Sequence, residues 1–544
     1  MAIDKDLLAI QEMRDLVART KAAQLEFWHF SQEKVDRIVK AMADAGYAAS
    51  ERLGRMAHEE TGFGKPEDKK TKNEFSTKWT HGSIKDLKTV GVVGFDAKKK
   101  IVEIADPMGV VCALIPSTNP TSTVMFKILI SVKGRNAVVA SPHPRAANCT
   151  AEATRVLADA AEKAGAPQGL ITCMTNVTMQ ATQELMKHKE VDIILATGST
   201  AMVRTAYSAG KPAYGVGSGN VPAFIERTAN VKKAVADVIS GKLFDYGTLC
   251  STESALICDA PIRGKVVEEC KKLNAYFCNV EEKERLGRLM FGPRGEINPE
   301  IVGKPATYIA NKAGINAPAE TTVLIAELAA VGREYPLSRE KLSPVLSFYT
   351  EDGWRDGCHR CIELLNFGGL GHTLVIHSKD EDIIMKFALE KPSYRILVNT
   401  QAALGAVGYT TGLDPSMTLG PGTMGGSIIS DNITARHLIH IKRLAYETSP
   451  INPPEKFGEA APTKISPLPS PKPVRTWIDE IDERIRMKAG NPPVGKPMPT
   501  NVPIQREEKP LEEPTRSPVK KDVIYGTGLT EEQLEQIIRD FEKR

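Results

Sequence analysis

The sequence predicts an α/β protein with two domains built on parallel sheets, and three observations carry the prediction. After Lys100, short apolar runs recur: Gly109 to Ile115, Asn136 to Ala140 and Val191 to Leu195, each followed by Pro, Gly, Ser or Thr. Helical patterns lie between them, as in Ala151 to Ala164, closed by Gly165 and Pro167. Nearly continuous apolar runs alternating with helices are what parallel strands covered on both faces require. The length of 544 residues exceeds the roughly 100–200 of one domain, so two to four domains are expected.

Taken in order, the first hundred residues read as helices. Leu7, Leu8, Ile10 and Met13, then Val35, Ile38, Val39 and Met42, recur near a 3.6-residue period among charges. Around 100–107, Lys100, Val102 and Ile104 belong to a strand that alternates apolar and charged residues before Pro107. These parts and the apolar runs above make a first domain over 1–239. A second α/β stretch over 240–447 carries apolar runs at Ser254 to Ile257 and Thr373 to Ile376. Then the composition shifts. Of the 35 prolines, 16 fall between Pro450 and Pro518, so 448–525 reads as an extended linker. One island, Trp477, Ile478, Ile481 and Ile485, has helical spacing. In 526–544, Thr530 to Gln533 has the form of a capping box, and Leu534, Ile537, Ile538 and Phe541 form one apolar stripe. That segment reads as a short amphipathic helix on a tether, either folding back or binding a partner.

Composition narrows the function. A net charge of +4 spread over this length gives no single-sign field, which argues against nucleic acid as partner. No run approaches the roughly 18 apolar residues of a membrane span, and Met1 to Asp6 lacks a basic-then-apolar leader, so a cytoplasmic protein is expected. Nine scattered cysteines fit a reducing compartment.

Lys242 to Glu253 contains a cysteine, Cys250, flanked by small polar residues after a glycine and before an apolar run. Such a thiol can sit exposed in a loop between domains, whereas Cys112, Cys173 and Cys258 lie in runs typical of inert, buried thiols. From spacing alone, Cys250 could be inert as well. Other ordered motifs are Ile115 to Pro120, Ala196 to Ser199, Gly215 to Pro222, Glu340 to Val345 and Gly368 to Thr373. In this order, from roughly Ala9 to Tyr446, the set resembles the aldehyde dehydrogenase superfamily, specifically its coenzyme A-acylating branch.

The resemblance implies two Rossmann-like α/β domains with a small oligomerisation arm near 100–107, and a homo-oligomer, dimer or tetramer. It makes Cys250 the nucleophile that forms a thiohemiacetal with a short-chain aldehyde; the thiohemiacetal carbon then gives hydride to NAD, leaving a thioester on Cys250. Asn119 matches the family's oxyanion donor; on its own it also reads as an Asn-Pro turn signal. Where hydrolytic members carry a water-activating glutamate, this chain has Val216. The thioester is then resolved by coenzyme A, a thiol and better nucleophile than neutral water, to give acyl-CoA. Gly217, Gly219 and Asn220, and Gly422 from a separate loop, are expected at the aldehyde and coenzyme A site. His372 is either a base for the incoming thiol, with a pKa near working pH, or a structural histidine in a glycine-rich turn.

For the cofactor, Gly198 and Ser199 are placed to meet a pyrophosphate with backbone N–H groups, and Glu340 matches the family's contact to the nicotinamide ribose. Ser141 replaces the lysine of hydrolytic members and is followed by Pro142, His143, Pro144 and Arg145. Ser141 and His143 are expected to hold the adenosine end of NAD, and Arg145 leaves NADP open. Two motifs read as decoys. Gly420 to Gly425 spells G-x-G-x-x-G without a βαβ unit behind it, and reads as a loop near the aldehyde pocket. Cys358 to Cys361 spells C-x-x-C without a second pair, so no metal is expected.

Microcompartment-associated acylating members carry tethered amphipathic helices like 526–544, so the resemblance extends to enclosure in a bacterial microcompartment, with shell or cargo proteins as partners. Acetaldehyde and propionaldehyde are the family's usual substrates, and sulfoacetaldehyde is a further option. Rival readings are a hydrolytic or phosphorylating dehydrogenase and a noncatalytic scaffold. A fusion to an alcohol dehydrogenase is not expected, since linker follows Glu447.

Overall fold

The computed structural model describes residues 4–458. Most of the expected linker, the Trp477 island and the terminal helix lie outside the described residues. Residues up to Thr448 form one unit, with three sheets.

The chain enters through helices. Asp4 caps Lys5–Phe27, accepting from the Asp6 and Leu7 N–H groups, and Ser31 caps Gln32–Ala48. The second helix buries Val35, Ile38, Val39 and Met42 as their spacing requires. The first buries Ala9, Met13 and Val17, while Leu7 and Leu8 are exposed. Within the first hundred residues, Gly91–Asp96 is a strand instead of helix. It forms an antiparallel sheet with Ile101–Pro107 and Ile439–Ala445. Ile101–Pro107 is therefore the centre of a three-stranded sheet, not a lone edge.

A five-stranded parallel sheet orders Ile171–Cys173, Ala137–Pro142, Val110–Ile115, Ile193–Thr197 and Ala213–Val216. Pro120–Lys133 packs on it with every residue buried. Even Lys127 is accommodated, donating to the Leu114 and Leu195 carbonyls at 2.7 and 2.8 Å.

A seven-stranded parallel sheet orders Ala275–Phe277, Val323–Glu327, Val345–Glu351, Glu253–Asp259, Val221–Ile225, Leu374–His377 and Ile396–Val398. This corrects the domain boundary. Val221 pairs with Glu253 and Ala223 with Val375, so the sheets part between Val216 and Val221 and not at 239. Strand partners are not visible in one sequence, so the range 1–239 took in Val221–Ile225, a strand of the second sheet.

Candidate active site

Topology assembles the site. Cys250 precedes Glu253–Asp259, the loop 217–220 precedes Val221–Ile225, His372 precedes Leu374–His377 and Glu340 precedes Val345–Glu351. These four strands are adjacent and parallel, so all four segments gather at the N-terminal edge of the seven-stranded sheet. Asn119 and Gly198 follow Val110–Ile115 and Ile193–Thr197, neighbours at the C-terminal edge of the five-stranded sheet. The Asn119 side-chain N–H donates to the Thr248 carbonyl at 3.2 Å, bringing the two edges together.

Cys250 stands in the turn after the 3-10 helix Phe244–Gly247 and keeps partial solvent exposure. Burial, then the Glu340 carboxylate, pushes its thiol up to about 12; Arg395 and the N–H groups of Cys250 and Ser251 oppose this. Cys112 and Cys173 are also pushed up to about 12. Position among donors, not acidity, distinguishes Cys250 in the ligand-free protein.

Asn119 is the N-cap residue of Pro120–Lys133 but makes no side-chain cap. Pro120 at the first helical position has no N–H to satisfy, and the Asn119 amide reaches Thr248 instead. Gly219 must be glycine: a Cβ there would lie 2.1 Å from the Cys250 carbonyl oxygen and 3.3 Å from His372 Nδ1. The same contacts place the Cys250 carbonyl and the His372 ring together against Gly219. Asn220 is structural, its amide donating to the Ser338 and Leu364 carbonyls at 2.8 and 3.1 Å. Gly422 adopts φ +57, and a Cβ would strike the Tyr394 ring. Pro421 of the same loop packs on Gly371, beside His372.

His372 is held between Thr373 Oγ1, 3.0 Å from Nδ1, and a buried, unpartnered Nε2. Burial, with the Arg395 charge, pushes its pKa down to about 3. This corrects the expectation of a pKa near working pH: the sequence signals histidine and glycine but not enclosure. Val216 ends its strand 2% exposed, in an apolar cluster with Leu249.

On the cofactor side, Ser199 caps Thr200–Tyr207 by accepting from the Met202 N–H. Ser199 and Thr200 are exposed, and a Cβ at Gly198 would meet nothing nearer than 3.9 Å. The helix N-terminus is thus open to an anionic group, as a pyrophosphate requires. Glu340 accepts from Gly219 N–H at 2.9 Å, and burial pushes it up to about 7. His143 and Arg145 are exposed beyond Ala137–Pro142, with His143 Nδ1 accepting from Arg145 N–H. Ser141 is buried, its hydroxyl 2.9 Å from that of Thr182. These residues fit a dinucleotide, with Ser141 beneath the surface and not at it.

Sequence reasoning missed two buried cations, Arg395, whose charge acts on Cys250, and Lys242, whose partners are Glu253 and Glu340. Buried Arg395 donates to the Gly420 and Ser430 carbonyls at 2.6 and 3.0 Å and faces Cys250. Lys242, buried between Glu253 and Glu340, is pushed down to about 8 by desolvation. The Lys242 to Glu253 segment was already singled out, but its flanking lysine was not. Cys358 and Cys361 lie buried on Trp354–Phe367, Cys358 against Lys391 and Glu390. Among the described residues, no helix is long and apolar enough to cross a membrane.

The "Aldehyde dehydrogenase family" sequence model matches residues 8–284. Aldehyde-alcohol dehydrogenase 2 of Entamoeba histolytica is 41% identical over 474 residues, 84% of this chain and 54% of that protein. The chain thus spans about half the length of that curated relative. Succinate-semialdehyde dehydrogenase (acetylating) of Clostridium kluyveri is 34% identical over 436 residues, 80% of this chain and 95% of that protein. Among solved structures, an acetylating aldehyde dehydrogenase from Geobacillus thermoglucosidasius superposes with TM-score 0.81 at 50% identity, covering 83% of this chain and 99% of that one. A propionaldehyde dehydrogenase from Rhodopseudomonas palustris with bound propionyl-CoA gives 0.73 at 28%, covering 80% and 94%.

Proposed function

The chain belongs to the aldehyde dehydrogenase family, and we propose that it is an acylating member, converting a short-chain aldehyde to its acyl-CoA thioester with NAD and coenzyme A. The observation that carries this reading is Cys250 against Gly219 and near the Asn119 amide, with buried Val216 where a water-activating carboxylate would stand. The acetylating relatives and the neighbour holding propionyl-CoA support it.

Cys250 loses its proton to solvent, and the thiolate adds to the aldehyde carbon. The developing oxyanion takes a hydrogen bond from the Asn119 amide, in place of the one that amide gives Thr248 or Thr118, and a second from the Cys250 backbone N–H. Gly198, Ser199 and Glu340 would hold NAD, which would accept the hydride from the thiohemiacetal carbon as its carbonyl re-forms. The acyl group then rests on Cys250. Water is not activated there by Val216, so the acceptor is a thiol, which needs little base assistance. Neutral His372 packs against Gly219 beside the Cys250 backbone and is placed to hydrogen-bond the incoming thiol. Propionaldehyde and acetaldehyde are the proposed substrates, and NAD the preferred dinucleotide. Initial rates of NADH formation with aldehydes of two to four carbons, and identification of the thioester by mass spectrometry, test the reading. Free acid as the sole product would replace it with the hydrolytic alternative.

The capping-box pattern of Thr530 to Gln533 and the stripe through Phe541 support a further role for the tail: docking to a microcompartment shell or cargo protein. Truncation after Tyr525 is expected to leave catalysis intact and abolish co-purification with shells. Unchanged co-purification would remove the idea.

A further inference from the structure

Behind Asn119, three charged side chains are buried together. Lys69 and Lys72, one helical turn apart on Pro66–Glu74, are 2% and 3% exposed, and Asp245 is 0% exposed. Buried ionic groups are costly, and apolar side chains of similar volume would often hold a core as well. A fold that retains three of them beside a reacting centre has a use for their positions.

Asp245 is saturated. Its Oδ1 accepts from Lys65 N–H at 2.7 Å. Its Oδ2 accepts from Lys69 Nζ at 3.1 Å, from Lys72 Nζ and from Thr248 Oγ1 at 2.5 Å. To reach them, Asp245 takes φ +48 and Tyr246 φ +50, a left-handed conformation rare for residues other than glycine. The strained turn lies five residues before the nucleophile.

Each lysine has a second contact, and both contacts fall on the Thr118-Asn119 segment. Lys69 Nζ donates to the Thr118 carbonyl at 3.1 Å, and Lys72 Nζ donates to Asn119 Oδ1 at 2.5 Å. The opposite end of that amide donates to the Thr248 carbonyl at 3.2 Å and to Thr118 Oγ1 at 3.1 Å. An ammonium group has only donors, so it accepts one orientation of the amide, with oxygen toward Lys72 and N–H toward the Cys250 turn. The charge also draws electron density from the amide, strengthening its N–H as a donor.

We propose that Lys72, anchored by Asp245, is the positioning residue of the oxyanion site: it fixes the Asn119 amide with its NH2 on the side of the Cys250 turn, where the aldehyde oxygen replaces the Thr248 carbonyl or the Thr118 hydroxyl as acceptor of one N–H. The inference rests on the reading of Asn119 as oxyanion donor. No side chain of the trio touches the substrate. Lys72 acts through Asn119, Asp245 anchors Lys72, and Lys69 bridges Asp245 and the Thr118 carbonyl.

A double-mutant cycle on the full chain tests it, using propionaldehyde, NAD and coenzyme A. Asn119→Ala and Lys72→Met are each expected to lower kcat by about 100-fold, the loss typical of one oxyanion donor, with KM values within about twofold. Added to Asn119→Ala, Lys72→Met is expected to cost less than about threefold more, because its effect passes through the missing amide. Losses that multiply overturn the inference, as does a Lys72→Met enzyme within about threefold of wild type. If Asn119→Ala alone is harmless, the oxyanion reading itself has failed. Lys72→Gln, which keeps a hydrogen-bonding group without charge, repeats the cycle should Lys72→Met not fold. Full activity in that variant contradicts a role for the charge.

Discussion

Gly219 N–H donates to Glu340 Oε1 across 2.9 Å, tying the loop that passes between the two sheets to the carboxylate that opposes ionisation of Cys250. Replacing Glu340 by Gln removes a negative charge near the thiol and lowers the Cys250 pKa. At pH 8, alkylation of Cys250 by iodoacetamide is expected to quicken several-fold, since each pKa unit is tenfold in thiolate. A slower or unchanged rate would show that the carboxylate does not act on the sulfur.

A methyl group at Gly219 would lie 2.1 Å from the Cys250 carbonyl oxygen, against backbone that cannot swing aside. Gly219→Ala is therefore expected to displace the loop and reduce kcat by at least about 100-fold, as small displacements at a reacting centre do. The melting temperature should move little, because the loop lies outside both sheets. A large fall in stability with kcat preserved would reverse that assignment.

His372 stays neutral throughout the working range, with a pKa pushed down to about 3. The pH–rate profile should therefore show no limb from His372 between pH 5 and 8. In His372→Ala, the burst of NADH on mixing enzyme, NAD and aldehyde should be kept, while coenzyme A-dependent turnover falls only about threefold, because a histidine pushed down to about 3 can hydrogen-bond the thiol but is too weak a base to deprotonate it. Equal losses in both phases would place His372 at the hydride step.

Buried Lys72 is pushed down to about 8, chiefly by desolvation and by Lys69, against the pull of Asp245 and Asp68. Its folded pKa lies below the ordinary 10.5, so between about pH 8 and 10.5 the unfolded chain binds more protons and stability from this group rises with pH. The locking charge on the Asn119 amide is lost over the same window. Activity above pH 8 is expected to fall while the Lys72 contribution to the melting temperature rises. Comparing wild type with Lys72→Met by thermal melts and kcat from pH 7 to 9.5 checks this, and parallel falls would contradict it.

The trio was not legible in the sequence. Pro66–Glu74 contains Lys69, Lys70 and Lys72 among acids and amides, and such a helix reads as a solvated face. Lys69 and Lys72 are buried only because Asp245 arrives from more than 170 residues away. The strands were legible, since parallel strands buried on both faces need the unbroken apolar runs at Val110 and Ile193. Asn119, Gly219 and Cys250 could be placed because their motifs stand at strand ends, where topology gathers them. Ser141 and Asn220 look available as sequence, but Thr182 and the Ser338 and Leu364 carbonyls occupy them. Which partner satisfies a polar side chain is a tertiary fact.

In the proposed function, acyl-Cys250 waits for a thiol because Val216 leaves water without a base. Rapid mixing of the enzyme with NAD and propionaldehyde, without coenzyme A, tests it most directly by counting NADH per Cys250. The account predicts about one equivalent, then a stall that coenzyme A releases. Continued turnover to free propionate without coenzyme A would contradict it.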